Sequence, residues 1–404
     1  MTKKRILFVD DEPLVLQGLQ RTLRSMREEW DMEFVGDGLT ALAVMAEAPF
    51  DVVVSDMQMP GMNGAALLNE VMVRHPRTVR LILSGHADRE LILKCVGSTH
   101  QYLSKPCEAQ ALKATIARAA ALEGSFDNEK LMELVARVRL LPSLPSLYTE
   151  IIQCLQSAQV STEEVGSIVA RDIAMTAKLL KLVNSAFFGL GRPIANPAEA
   201  AAYLGTDIIK SLVLFVHVFS QFESARVKGF SPAALWDHSL QTSAAAKLIA
   251  LTEGASRNLC EEAFVAGMLH DTGKLVLAAN FPEQYGTVLA KISDSRSYGT
   301  AEREVFGCSH AEIGGYLLGL WGLPVPVVEA ITLHHTPGAS VQPVFSALTA
   351  THVANALLHQ LEARPHPGAA GMDMDYLSAL GLSERVPVWQ AAWQEREPVS
   401  SALI

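Results

Sequence analysis

Histidines and an aspartate in the second half of the chain carry the kinds of side chain that bind metal ions. His270 and Asp271 are adjacent, and Lys274 lies four residues beyond His270. Neutral imidazole and carboxylate together suit Zn, Fe, Mn or Ni. Helical spacing would put His270 and Lys274 on one face, with the ammonium group placed to contact a phosphate. Four further histidines complete the candidate set: His238, His310, His334 and His335.

Three carboxylates and a lysine in the first third of the chain form a second candidate site. Asp10 and Asp11 directly follow the first apolar segment, and Asp56 ends the third. Lys105 follows the fifth segment and Ser84 the fourth. Carboxylates that share one crevice repel each other, and a cation such as Mg²⁺, which prefers oxygen ligands, removes that conflict. An aspartate beside a metal ion and a lysine is equipped to accept a phosphoryl group.

The first 122 residues alternate short apolar segments with amphipathic ones. The apolar segments predict five strands, near 5–9, 32–35, 51–55, 79–83 and 100–103. Helical periodicity predicts five helices between and after them, near 14–27, 38–47, 64–74, 88–96 and 107–122. This alternation is typical of an α/β fold with a doubly wound parallel sheet. A flavodoxin-like strand order would place the ends of the first and third strands side by side, where such sheets bind ligands.

Residues 1–122 resemble the receiver domain of a two-component response regulator. The similarity covers the whole segment and includes the acidic pair, "SDMQMPGMNG" (55–64) and the Lys-Pro pair. It implies that a sensor histidine kinase phosphorylates Asp56 and that Lys105 contacts the phosphoryl group. Ser84 and Tyr102 match the switch residues that repack on phosphorylation.

The same resemblance implies a Mg²⁺ site in this domain. The ligands would be Asp11, Asp56 and the backbone carbonyl of Gln58, and Asp10 would assist through water. None of these positions departs from the family pattern.

Beyond residue 122 the pattern is helical. Residues 123–140 predict a linker helix with one apolar stripe, which would either dock on a domain or form a dimeric coil. Residues 141–362 follow as an all-helical domain punctuated by Pro and Gly. Residues 363–404 predict a short helical tail.

The helical domain resembles the HDOD domain, a relative of the HD-type phosphohydrolases. The matching segments occur in order: "LPSLP" (141–145), "ARDIAMTAKLLKLVNSAFFG" (170–189), "AAAYLG" (200–205), "LHDTGKLVL" (269–277), "HAEIGGYLL" (310–318), "HHTP" (334–337) and "HVAN" (352–355). The resemblance implies an all-α, HD-like fold and an output module that is generally treated as non-catalytic.

The metal and phosphate positions of catalytic relatives are largely present. They are matched by His238, His270, Asp271, Lys274, His310, His334 and His335. Two positions depart: Ala234 stands where metal-rich members have a glutamate, and Asn355 replaces the late aspartate. The segment after His335 also lacks the motif of the cyclic di-GMP hydrolases. A metal site is therefore expected without hydrolysis of a cyclic dinucleotide. Four other histidines are interpreted as packing residues: His217, His352, His359 and His366.

Composition restricts the class of protein. A chain of 404 residues argues for two or three domains. Its net charge of −10 and lack of a basic block argue against nucleic-acid binding. Five cysteines without paired spacing suit a reducing compartment. No apolar stretch approaches the ~20 residues of a membrane span, so the sequence predicts a cytoplasmic protein.

These features predict a response regulator. Its phosphorylation would change a protein-interaction module, and that module would bind a downstream partner that the sequence does not identify. Whether the chain forms a homodimer stays open. One alternative is an enzyme, a receiver-gated, metal-dependent phosphohydrolase or cyclic dinucleotide phosphodiesterase. Another is a nucleotide-sensing module that binds phosphate at Lys274 without turnover.

Overall fold

A computed structural model describes most of the chain. The described residues are 3–84, 99–105, 110, 112–117, 128–138, 147, 150, 151, 154, 160–184, 192–205, 209, 227–292, 297–341, 344–361 and 371–395. The predicted helix at 88–96, the "LPSLP" segment, His217 and His366 lie outside them.

The first domain is built on a five-stranded parallel sheet with the order β2-β1-β3-β4-β5. Its strands are β1 (Lys4–Val9), β2 (Trp30–Val35), β3 (Val52–Asp56), β4 (Val79–Ser84) and β5 (Gln101–Ser104). Val9 of β1 pairs with Ser55 of β3, so the strand ends that carry Asp10 and Asp56 are neighbours. The predicted flavodoxin-like α/β fold is confirmed.

Three helices of this domain have complete bounds: α1 (Pro13–Thr22), α2 (Gly38–Glu47) and α3 (Gly64–Arg74). Residues 112–117 are also helical. Helix α1 is shorter than the predicted 14–27, because a 3-10 turn at Arg24–Met26 follows it. Strand β3 is buried at every position, as expected for a parallel sheet covered on both faces.

The remainder of the described chain is helical, which confirms the predicted all-α second domain. Its helices are α4 (Glu129–Ala136), α5 (Thr162–Val169), α6 (Ile173–Val183), α7 (Pro197–Leu204), α8 (Pro232–Thr252), α9 (Arg257–Leu269), α10 (Thr272–Asn280), α11 (Pro282–Ile292), α12 (Tyr298–Phe306), α13 (His310–Leu320), α14 (Val325–Leu333), α15 (Ala347–Leu361), α16 (Met374–Ala379) and α17 (Val386–Glu395). None of the described helices is long and apolar enough to cross a membrane.

Helix α4, in the predicted linker, packs on the helical domain. Asn128 caps it by accepting from the backbone N–H of Lys130 and Leu131. The Asn128 amide also donates to the carbonyl of Gly307 at 3.0 Å. Leu131 and Val135 are buried. The apolar stripe therefore contacts the chain's own second domain.

The two domains share a buried contact at β5 and α6. Lys181 of α6 is buried, and its Nζ donates to the carbonyl of Thr99 at 2.6 Å. The same Nζ lies 4.6 Å from the centroid of the Trp321 ring. Gln101 of β5 donates to the carbonyl of Leu320 at 3.0 Å. These groups are therefore buried where the two domains meet.

His100 is buried between Thr99 and Gln101, the two receiver residues of this contact, and its titration allows a pH test. Burial, together with the charges of Arg80 and Lys181, holds the pKa of His100 well below its ordinary value. The unfolded chain protonates this side chain near pH ~6.5 and the folded protein does not. The folding stability that depends on neutral His100 is therefore fully present above pH ~6.5. It decreases as pH falls below that value, by about 1.4 kcal/mol per pH unit.

Urea unfolding of wild type and His100→Gln should reveal this contribution. We expect wild type to lose more stability than the variant between about pH 7.5 and about pH 5.5. Glutamine suits the comparison because it does not titrate, which removes one group while the other histidines remain. Parallel pH profiles would show that His100 is protonated equally in both states.

Candidate functional site

Lys105 lies at the centre of the first site. Its Nζ is 2.7 Å from Asp10 Oδ2 and 2.5 Å from Asp56 Oδ1. The other carboxylate oxygens accept from the backbone, with Gln58 N–H donating to Asp56 and Glu12 N–H to Asp10. The fold thus brings together residues that are far apart in the sequence. Asp11 follows Asp10 and is exposed.

The electrostatics of this crevice suit a further cation. Burial raises the pKa of Asp56 and outweighs the opposing effect of Lys105. Burial would lower the pKa of Lys105, but its bonds to Asp10 and Asp56 raise it. Two buried carboxylates therefore share one ammonium group. An oxygen-only donor set of this kind fits Mg²⁺.

The two predicted switch residues are both fully buried. Ser84 follows Leu83, which pairs with Asp56 in the sheet. Tyr102 belongs to the buried cluster on one face of the sheet, together with Ile82. Leu182 of α6 belongs to the same cluster. This buried cluster therefore includes residues of both domains.

Gly64 is a residue of this site that the sequence reasoning missed. A Cβ atom built there would lie 2.1 Å from the backbone oxygen of Asp56. The Gly64 N–H also donates to the carbonyl of Met57 at 3.0 Å. The loop after β3 can therefore return beneath Asp56 only with glycine at this position.

The second site is built where α9 ends and α10 begins. Helix α9 stops at Leu269, His270 follows it, and Asp271 precedes α10 with φ −100° and ψ 11°. The expected single helical face through His270 and Lys274 is therefore wrong, because the helix is interrupted at Asp271. Lys274 instead contacts Asp271, with Nζ 2.7 Å from Oδ2.

Three histidines are oriented by hydrogen bonds from Nδ1. His270 Nδ1 lies 2.7 Å from the carbonyl of Gly267, and His334 Nδ1 lies 2.8 Å from that of Ile331. His310 Nδ1 lies 2.6 Å from the Glu302 carboxylate. Because these partners only accept, Nδ1 carries the proton and Nε2 points inward. Such bonds fix the tautomer that binds metal ions.

Asp271 is the common neighbour of these imidazoles. Its Oδ1 lies 3.2 Å from His310 Nε2 and 3.9 Å from His334 Nε2. Its Oδ2 lies 3.5 Å from His270 Nε2. His310 Nε2 is also 3.1 Å from His335 Nε2. The end of α9, the start of α10, helix α13 and the end of α14 thus bring five predicted ligands together: His270, Asp271, His310, His334 and His335.

The protonation states of His270, Asp271, His334 and His335 favour metal binding, whereas His310 differs, because burial would lower its pKa but Glu302 and Asp271 raise it. Burial lowers the pKa of His270 to about 3, and it holds the pKa values of His334 and His335 well below the ordinary range. Burial opposes the charge on Asp271, but His270 and Lys274 hold the pKa of this carboxyl well below its usual value. Neutral imidazole and ionised carboxylate are the forms that ligate.

His238 lies at the edge of this group. Its Nε2 is 2.9 Å from the Oδ1 of Asn355 on α15. The His359 ring stacks on the His238 ring, with 4.7 Å between the ring centroids. His359, which was interpreted as a packing residue, thus packs against a candidate ligand. His352 bonds through both ring nitrogens, to the His334 carbonyl and the Asp373 N–H. Ala234 faces the adjoining cavity without a ligand atom.

A cavity of about 370 Å³ adjoins Asp271. Lys274 and Arg303 bring positive charge to its wall, and Tyr285 and Phe230 supply aromatic surface. The Lys274 Nζ lies 4.6 Å from the Tyr298 ring centroid. Burial would lower the pKa of Lys274, but Asp271 and Tyr298 raise it, so the ammonium persists. This wall suits an anionic ligand.

Glu302 was also missed by the sequence reasoning. It is fully buried, and one carboxylate oxygen accepts from both the backbone N–H and the ring of His310. The segment "AEREVF" has the composition of an ordinary surface helix. Only the turn at Gly307, with φ 80°, brings Glu302 against His310.

Family models match both halves of the chain. Residues 6–117 match the response regulator receiver domain, and residues 141–337 match the HDOD domain. The chain carries a response-regulator receiver domain followed by an HDOD domain. The crevice around Lys105 lies in the receiver and the histidine site in the HDOD domain.

Several relatives and solved structures are similar to parts of this chain. An uncharacterized protein of Treponema pallidum (strain Nichols) is 28% identical over 53% of this chain and 41% of its own length. The hydrogenase transcriptional regulatory protein HoxA of Cupriavidus necator is 33% identical over 38% of this chain and 31% of its own. The chain thus spans less than half the length of these curated relatives. The MmoQ response regulator of Methylococcus capsulatus covers 62% of this chain and 97% of its own, with 26% identity and a TM-score of 0.47.

Proposed function

We propose that a sensor histidine kinase phosphorylates this protein on Asp56 and that the HDOD domain passes the signal to a partner protein. The observation that carries the proposal is Lys105, whose ammonium bridges Asp10 and Asp56. In the transfer an Asp56 oxygen would attack phosphorus, and the bond from phosphorus to the kinase imidazole would break. Lys105 would then contact a phosphoryl oxygen. The proposal includes a cytoplasmic location, where kinases draw on ATP.

Mg²⁺ would be held by Asp11, Asp56 and the backbone carbonyl of Gln58, with Asp10 assisting through water. When bound, it would neutralise charge on the carboxylates and the phosphoryl oxygens. The oxygen-only donors around Lys105 support this assignment. Asp10 and Asp56 lie within reach of one cation already.

The β5–α6 contact supports the output half of the proposal. A phosphorylated side chain carries about −1.5 to −2 charges near neutral pH. Lys105, Ser84 and Tyr102 would adjust to that charge, and Leu182 shares the buried cluster of Tyr102. Lys181 holds the neighbouring end of β5 at Thr99. The HDOD domain would thereby present a different surface to its partner.

Labelling with a phosphodonor tests the phosphoacceptor. Acetyl phosphate with Mg²⁺ should label wild type at one site and leave Asp56→Asn unlabelled, as measured by intact-protein mass spectrometry. Asp31→Asn is the matched control, since Asp31 is the second residue of the edge strand β2 and is exposed. Equal labelling of Asp56→Asn and wild type would reject the proposal.

A second candidate function is a receiver-gated, metal-dependent phosphohydrolase. The observation in its favour is the convergence of oriented Nε2 atoms on Asp271. The donors suit Zn, Fe, Mn or Ni. Such an ion, when bound, could activate water or polarise a phosphate ester. Against turnover stand Asn355 and Ala234, which supply no carboxylate.

Metal content and hydrolysis separate the two functions. We expect untagged wild type to retain metal in elemental analysis and His270→Ala/Asp271→Ala to retain none. We expect no cleavage of cyclic dinucleotides or of a generic phosphodiester by either protein. Turnover in wild type that the double variant lacks would make the protein an enzyme.

A further inference from the structure

Two overlapping groups of side chains in the HDOD domain could each hold a metal ion. The four-ligand group consists of Asp271, His310, His334 and His335, and the His238 group consists of His238, His270 and Asp271. The ligand atoms within each group lie within 4.8 Å of one another. Asp271 belongs to both, so its two oxygens decide which group is available.

Two donor atoms of the four-ligand group are open, and the other two, His310 Nε2 and His335 Nε2, are paired with each other at 3.1 Å. In the described part of the chain, neither Asp271 Oδ1 nor His334 Nε2 has a hydrogen-bond partner, although both are buried. Buried polar atoms without a hydrogen-bond partner are destabilising. Their separation is 3.9 Å, and Oδ1 lies 3.2 Å from His310 Nε2. Ligand atoms about 2.1 Å from a tetrahedral metal are ~3.4 Å apart, so the spacing fits an ion.

Most donors of the His238 group are already engaged. Asp271 Oδ2, the oxygen that faces His270, accepts from Lys274 Nζ at 2.7 Å. His238 Nε2 pairs with Asn355 Oδ1 at 2.9 Å. Because an amide oxygen only accepts, this nitrogen carries the proton and offers no lone pair. His270 Nε2 alone stays without a partner among the described residues. One neutral nitrogen beside an ammonium group does not hold a divalent ion.

We propose that the HDOD domain binds a single first-row divalent ion in the four-ligand group and that Asn355 and Lys274 close the His238 group. Three imidazoles and one carboxylate make this a Zn²⁺-type tetrahedral site. Glu302 is a positioning residue, since its carboxylate fixes the ring of His310 from behind. This inference deepens the proposed metal centre and specifies its stoichiometry.

Titration of the metal-free, untagged full chain with Zn²⁺ tests the inference by calorimetry and elemental analysis. We expect one ion per chain in wild type and in His238→Ala, and none in His334→Ala. The Asn355→Asp/Lys274→Met variant should bind two, because it adds a carboxylate and frees Asp271 Oδ2. Circular dichroism verifies that each variant is folded.

The outcomes distinguish the inference from the metal centre itself. Absence of Zn²⁺ from folded wild type would reject the metal centre. Two ions in wild type, falling to one in His238→Ala, would retain the centre and overturn the single-ion inference. One ion that His238→Ala loses and His334→Ala keeps would overturn the assignment of the group.

Glu302→Gln tests the positioning role separately. Loss of an outer carboxylate partner typically weakens metal binding by about 10–100-fold. We expect the Zn²⁺ Kd to rise by that factor with one ion still bound and with an unchanged melting temperature of the metal-free protein. Co²⁺ absorption would then show altered coordination. Unchanged Kd and spectrum would exclude a positioning role.

Discussion

Alanine at position 273 is expected to destabilise the HDOD domain by about 3 kcal/mol, at the upper end of the cost of overpacking a core. Its Cβ would lie 2.0 Å from the backbone oxygen of His310 and 2.8 Å from the His310 Cα. Backbone atoms cannot rotate away as a side chain can. The substitution must therefore separate α10 from α13, and with them Asp271 from His310.

Chemical unfolding followed by circular dichroism measures this loss. Gly286→Ala is the matched control, because Gly286 is also helical and a Cβ there meets nothing within 4 Å. We expect the control to be neutral or stabilised by up to ~1 kcal/mol. Equal stability of Gly273→Ala and wild type would show that α10 and α13 do not pack this closely.

Lys181→Ala is expected to cost roughly 2–4 kcal/mol and to uncouple the two domains. The truncation removes a buried stem and leaves the Thr99 carbonyl without its 2.6 Å donor. It also removes the ammonium above the Trp321 ring. The receiver and the HDOD domain should then unfold in two transitions, where wild type unfolds in one.

Two further variants serve as controls for the Lys181→Ala result. Lys181→Met keeps most of the apolar stem, so the difference between Met and Ala measures packing apart from the hydrogen bond. Lys228→Ala removes an exposed lysine of the HDOD domain and should resemble wild type. Calorimetric scans of the four proteins provide the measurement. A single transition of unchanged midpoint in Lys181→Ala would mean that the β5–α6 contact does not hold the domains together.

The sheet and its acidic crevice could be predicted because the signals are local. Each strand is a short apolar run, and Asp10 and Asp56 stand at strand ends that parallel order makes neighbours. The site geometry in the HDOD domain depends on tertiary contacts. Helical periodicity continues through His270 and Asp271, and only the backbone of Asp271 reveals the interruption.

Buried charges were the least predictable feature. Lys181 in "KLLKLV" occupies a position that periodicity assigns to a solvated face, yet it is buried against Thr99 and Trp321. Glu302 likewise belongs to a segment that looks exposed. In both cases the partner, Thr99 or His310, lies on another element and fixes the side chain through a contact that sequence spacing does not encode.

We propose that phosphorylation of Asp56 changes the HDOD domain through the contact between β5 and α6. Hydrogen exchange of the full chain, measured by mass spectrometry with and without acetyl phosphate and Mg²⁺, tests it most directly. We expect altered exchange in Gln101–Ser104 and in Ile173–Val183 of wild type and no change in Asp56→Asn. If Ile173–Val183 of fully phosphorylated wild type exchanges at its original rate, the signal does not reach the HDOD domain through α6.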